Sequence, residues 1–228
     1  MTNFNDIGIS HTPDLPRIKK LLSIGLFASV LHLVGDMILG WGTEDETLTG
    51  FDRMLSAYIG TSDGGIFAAA LLGLFAMSLE GLCYFGIYRL IAPRSPDCAH
   101  RYRTGIFGYL MFGACGFHVP ICALVFLTKH GLSTALTAQY TAYFFLPAFV
   151  LFWIFFAVLQ RTQIKAFARG QTLCPRWGFV FCLPIGMLIA VLPGIFVNLP
   201  LFNALACAWI ALGNLWMFGG LRVMVGRL

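Results

Sequence analysis

Six stretches of this chain, at about 21–41, 65–90, 104–128, 140–160, 177–198 and 201–221, run for roughly twenty residues or more with scarcely a charged side chain. Each is long enough, at ~1.5 Å per helical residue, to cross a ~30 Å hydrocarbon layer. Only 11% of the side chains are charged and 58% are hydrophobic, whereas a water-facing domain carries about 25% charged residues. A soluble enzyme, a disordered tail, a nucleic-acid-binding module and a secreted disulfide scaffold are therefore excluded. Barrel strands would be shorter and would alternate, which these stretches do not. The sequence predicts an all-α polytopic membrane protein, one domain over 1–228 with six transmembrane helices.

Charge sets the orientation. Arg17, Lys19 and Lys20 precede the first span; Arg89, Arg94, Arg101 and Arg103 follow the second. Arg161, Lys165, Arg169 and Arg176 follow the fourth, and Arg222 and Arg227 follow the sixth, making thirteen of the fifteen basic residues. The opposite loops hold only Arg53 and Lys129, against Glu44, Asp45, Glu46, Asp52 and Asp63 in the first of them. By the positive-inside rule both termini are cytoplasmic, and the expected location is the cell's inner membrane. The net charge of +5 is then a topology signal and leaves a nucleic-acid partner nothing to explain. The first apolar run lacks a small-residue cleavage site and contains His32 and Asp36, so it reads as a retained span.

Of the seven cysteines, Cys83, Cys115, Cys122, Cys182 and Cys207 fall in spans, and Cys98 and Cys174 in inner loops. Without a Cys-x-x-Cys pair or an outer-loop cysteine, they read as buried, inert thiols. The two halves of the chain show no repeat.

The spans contain four ionisable residues whose cost in hydrocarbon calls for a reason: His32 and Asp36 in the first, Glu80 in the second, His118 in the third. At 100° per residue, Gly25, Ser29, His32, Asp36 and Gly40 share one face of the first helix, with Phe27, Val30 and Val34 opposite. Ala69, Gly73, Ala76, Glu80 and Tyr84 share a face of the second, and Thr104, Met111, His118 and Cys122 a face of the third. Small residues on these faces allow close helix approach. His32, Glu80 and His118 fall within about 5 Å of the midplane, with Asp36 one turn further out. The expected catalytic set is Asp36, Glu80, His32 and His118, with Ser29, Tyr84, Met111 and Cys122 on the wall of the pocket. Polar residues at helix contacts also serve simply to bond neighbours and fix register.

Pro120, Pro147, Pro184 and Pro193 interrupt three spans and are expected to kink them. In the first outer loop, Phe51, Met54, Leu55, Tyr58 and Ile59 follow an amphipathic spacing, predicting a short interfacial helix that serves as a lid or a connector. Ser62 to Gly65 reads as a cap opening the second span.

Three functions fit. Carboxylates in an apolar cavity hold their protons more tightly, so Asp36 or Glu80 can act as a general acid with His32 or His118 as partner. That suits isomerisation, cyclisation or hydrolysis of a lipid-like or isoprenoid-like small molecule. No cofactor is required, although His32, Asp36, Glu80 and His118 are also the ligand types that zinc or iron takes. A small proton-coupled transporter would use the same residues as a relay, its missing symmetry restored by a homodimer. A non-catalytic subunit would use them to hold a partner. Gly-Asp-Met-Ile-Leu at 35–39, Arg-Met-Leu-Ser-Ala-Tyr-Ile-Gly at 53–60 and Gly-Ala-Cys-Gly-Phe-His at 113–118 resemble an uncharacterised family of small bacterial multi-span membrane proteins. The resemblance implies a similar six-helix body with Asp36 and His118 at matching positions, and carries no activity with it.

The charge asymmetry makes a direct prediction. A fluorescent protein fused after Leu228 should light up, and alkaline phosphatase inserted within 42–63 should be active; the reverse pattern would invert the topology.

Overall fold

The structure, a computed structural model, describes residues 13–228, with the backbone alone at 51 and 193–196; Phe51 and Pro193 of the patterns above thus lie outside the described side chains. Among the described residues every regular element is helical. Helix α1 spans Leu15–Gly40 and opens on Asp14, whose carboxylate accepts the Arg17 backbone N–H at 3.0 Å. The outer loop forms α2, Gly50–Ile59, as its apolar spacing requires. Helix α3, Asp63–Ile91, starts where Ser62 Oγ accepts the Gly65 N–H at 3.1 Å, the cap read from the sequence. Helices α1 and α3 make the most extensive pairing in the bundle. Both are apolar all round, and the small-residue face decides which side turns inward. Phe27, Phe67 and Phe75 point outward at more than half exposure, giving an exterior as apolar as the interior.

The next two hydrophobic stretches are each built around a π turn. Helix α4, Pro96–Phe112, passes through Ala114–His118 into α5, Val119–Lys129. Helix α6, Thr134–Tyr140, passes through Thr141–Phe145 into α7, Leu146–Ala168. In both, proline is the second residue after the turn: Pro120 and Pro147. A proline ring clashes with the carbonyl four residues back and offers it no N–H. Widening the turn resolves both problems, as the His118 N–H donating to the Gly113 carbonyl at 3.0 Å illustrates. The prolines expected as kinks thus act here by inserting a residue into the turn.

The last third departs from six equal spans. The stretch expected to cross at 177–198 consists of a 3₁₀ turn, Arg176–Phe181, and α8, Leu183–Phe196, of only 14 residues, or roughly 21 Å of helix against ~30 Å of hydrocarbon. Cys182 is extended and Pro184 sits in the first turn of α8, so Pro184 starts a helix and kinks none. The final stretch is α9, Pro200–Cys207, and α10, Trp209–Val225, bent by 65° at Ala208. Among the described residues, four continuous helical stretches are long and apolar enough to cross a membrane, and five if the bent pair is one span.

Helix α10 lies along α1 and α8, and α9 meets the C-terminal end of α1. That last contact depends on Gly40. A Cβ there would stand 2.6 Å from Cys207 Cβ and 3.1 Å from Ala204 Cα, so only glycine lets α9 close on α1. Gly40→Val should lower stability by about 1–3 kcal/mol through overpacking, read as a fall in thermal midpoint in detergent. An unchanged midpoint would contradict the contact.

Candidate functional site

The polar faces of α1 and α3 meet at mid-bundle. Gly25, Ser29, His32, Asp36 and Gly40 are buried, as are Ala69, Gly73, Ala76, Glu80 and Tyr84. His32 Nδ1 lies 3.1 Å from Glu80 Oε2 and 3.4 Å from Oε1. Its Nε2 lies 3.4 Å from Asp36 Oδ2, one turn along α1. His118 comes from the π turn, with Nδ1 3.5 Å from Asp36 Oδ1 and Nε2 donating to the Ala69 carbonyl at 3.0 Å. The two imidazoles stand edge to face, 5.6 Å apart. All four residues expected from the sequence therefore gather at one place.

They do not play equal parts. Glu80 is fully enclosed behind His32 and receives the Tyr109 hydroxyl at 2.9 Å. Tyr109 is approached by Asn214 Nδ2 at 3.5 Å, and Asn214 Oδ1 accepts the Tyr84 hydroxyl at 2.6 Å. Every donor in this chain points towards Glu80, whose carboxylate oxygens accept. Such one-way networks polarise each member in turn and hold the terminal acceptor firmly.

In front of His32, a hollow of about 360 Å³ opens towards the C-terminal end of α1. His32, Asp36 and His118 form its polar floor, Phe117, Ile121, Trp209 and Ile210 its apolar sides. The bend at Ala208 makes the room, since it turns α9 away from the line of α10. Helix α2 lies across the top with Met54, Ala57 and Tyr58 facing in, and Glu44 and Asn203 stand at the rim. The loop and α2 are tied to each other by Arg53 to Glu44 at 2.8 Å and by the Asp45 N–H to Ser56 Oγ, also at 2.8 Å. Asn203 Nδ2 donates to the Gly42 carbonyl at 2.9 Å, joining the rim to α9. The Cys207 thiol beside the Tyr58 phenol, together with burial, pushes that phenol well above its ordinary range, leaving a neutral hydroxyl over the site.

Of the four residues expected on the pocket wall, none lines the hollow. Ser29 Oγ turns back to the Gly25 carbonyl at 2.8 Å. Tyr84 belongs to the network behind Glu80. Cys122 is buried in a small apolar cluster with Leu39, Ile66, Ala69 and Val125. Met111 lies on the outer surface, 67% exposed. The reason is the π turn: its extra residue rotates everything beyond it by about 100°. The face that carries His118 and Cys122 inward therefore continues as Tyr109 and Tyr102, and Thr104 and Met111 face out. An unbroken helix would have hidden Tyr109's role, and the Pro120 spacing is the signal that reveals it. Asn214 and the α9–α10 wall carry no comparable mark in the sequence.

Residues 3–227 match a family of unknown function, DUF6796, by its sequence profile. The chain belongs to that family. This agrees with the resemblance seen in the motifs around Asp36 and His118 and extends it over nearly the whole chain. No curated protein and no solved structure matches.

The seat of His118 gives a prediction. A Cβ on Gly73 would overlap the His118 ring, so Gly73→Ala should push the imidazole off the Ala69 carbonyl and into the hollow. Its alkylation by a histidine reagent, followed by peptide mass spectrometry, should accelerate several-fold. An unchanged rate would refute this seating.

Proposed function

We propose that this multi-pass membrane protein is an intramembrane acid–base enzyme acting on a lipid-like or isoprenoid-like small molecule. In this reading the short α8 with its preceding turn, and the bent α9–α10, count as the fifth and sixth crossings, with both termini in the cytoplasm and the lid at the outer face of the inner membrane. The observation that carries the proposal is a hollow with apolar sides whose floor is His32, Asp36 and His118. A single chain of a small amphiphile fits about 360 Å³, with its apolar part against Phe117 and Trp209 and its polar part against the floor. Asp36 stands between two imidazoles, 3.4 and 3.5 Å away, so a molecule in the hollow meets titratable groups away from bulk water. Glu80 holds His32 from behind and has no access to the hollow, so its part is positioning.

One observation favours a second reading. Beyond Tyr84, Tyr102 donates to Gln163 Oε1 at 3.3 Å, and Gln163 and Gln160 keep buried polar atoms without partners. This polar trail continues from the Glu80 network along α7, as a proton-coupled transporter would require.

The two readings separate experimentally. Purified protein incubated with a membrane lipid extract should form a new species by mass spectrometry, and Asp36→Asn should slow its appearance by roughly 10²–10⁴-fold, the usual weight of acid–base catalysis. Glu80→Gln should slow it too, with the protein still inserted and monodisperse. An unchanged extract, with Glu80-dependent proton movement in proteoliposomes, would overturn the enzyme in favour of the transporter.

A further inference from the structure

Around Asp36 two imidazole nitrogens face carboxylate oxygens across wide gaps. The Ala69 carbonyl can only accept, so His118 donates to it through Nε2 and presents Nδ1 to Asp36 Oδ1 at 3.5 Å. Glu80 Oε2, already receiving Tyr109, lies 3.1 Å from His32 Nδ1, and the same ring presents Nε2 to Asp36 Oδ2 at 3.4 Å. These gaps are wide for ionic hydrogen bonds, which close to about 2.7–2.9 Å. They come close to the spacing of neighbouring ligands around a tetrahedral ion, roughly 3.3–3.4 Å for two atoms at ~2.0–2.1 Å from zinc, with each imidazole facing a different oxygen of Asp36. One ligand atom from each of His32, Asp36 and His118 falls within a set no more than 4.8 Å across.

The carboxylate behind one ligating imidazole and the backbone carbonyl behind the other are the outer partners that fix ring orientation at metal centres.

We infer that His32 Nε2, His118 Nδ1 and Asp36 bind a borderline divalent cation, zinc or ferrous iron, at the floor of the hollow. Three protein ligands leave a position facing the cavity, where the ion would polarise a carbonyl or phosphoryl oxygen, or a water, of whatever enters. The inference rests on the proposed enzyme for the purpose of the ion, and on the ligand geometry alone for its binding.

The test uses the full chain in detergent, stripped with a chelator, reloaded with Zn²⁺ and assayed by elemental mass spectrometry. The wild type should retain one ion per chain, and His118→Ala should lose it. Glu80→Gln, which keeps all three ligands, should bind 10–100-fold more weakly. Loading wild type with Co²⁺ requires no variant to fold and should give intense visible ligand-field bands of low-symmetry nitrogen–oxygen coordination. Wild type that binds no more zinc than a His32→Ala/His118→Ala double variant, or that gives no cobalt bands, would overturn the inference. Lipid turnover by metal-free protein would remove the ion and leave the enzyme standing. A stoichiometric ion in a protein inert towards lipid would do the reverse.

Discussion

The contact between His32 and Glu80 is the one on which the rest of the bundle depends. Each residue alone would be a costly polar group in hydrocarbon, on the order of 2–4 kcal/mol for a charge on insertion scales. Together, with Tyr109 and Asn214 behind them, they form a satisfied network that ties α1 to α3 and both to α4 and α10. Directional bonds of this kind fix rotation and register where apolar packing alone would allow several. With α1 held by Glu80, Asp36 one turn above has no freedom to turn away, and it is this residue that faces the hollow. Glu80 therefore reaches the hollow only through the ring it orients.

The apolar stretches, the inward faces of α1 and α3, the Ser62 cap and the outer-loop helix were all legible in the sequence, because each obeys a single regular period. What was not legible follows from broken periods. Met111 was placed beside His118 on the assumption of unbroken α-helix, and the π turn ahead of Pro120 moved it to the outside. The stretch around Pro184 reads as a full span by composition, yet the extended Cys182 divides it into a turn and a short helix. The 65° bend at Ala208 has neither proline nor glycine at the break, and it makes the hollow. The convergence of His32, Asp36, Glu80 and His118 was foreseeable from depth and face. Their division into a floor of three and a support behind was not, since it depends on which ring nitrogen meets which acceptor.

The same division explains how an apolar bundle carries a polar hollow without losing its fold. The Glu80 network is buried behind His32 and bonded on several sides. His32, Asp36 and His118 lie in front, where they line the hollow. Above them α2 is held by polar and ionic contacts, each of a kind worth little singly, and by its buried Leu55.

The account stands on the protonation pattern of two rings, and ¹⁵N nuclear magnetic resonance of histidine-labelled protein in lipid bilayers reads that pattern directly. The prediction for zinc-loaded protein is a neutral His32 with its proton on Nδ1 and a neutral His118 with its proton on Nε2, each locked in a single tautomer. Two imidazoles exchanging between tautomers, or both protonated on the nitrogen that faces Asp36, would contradict it.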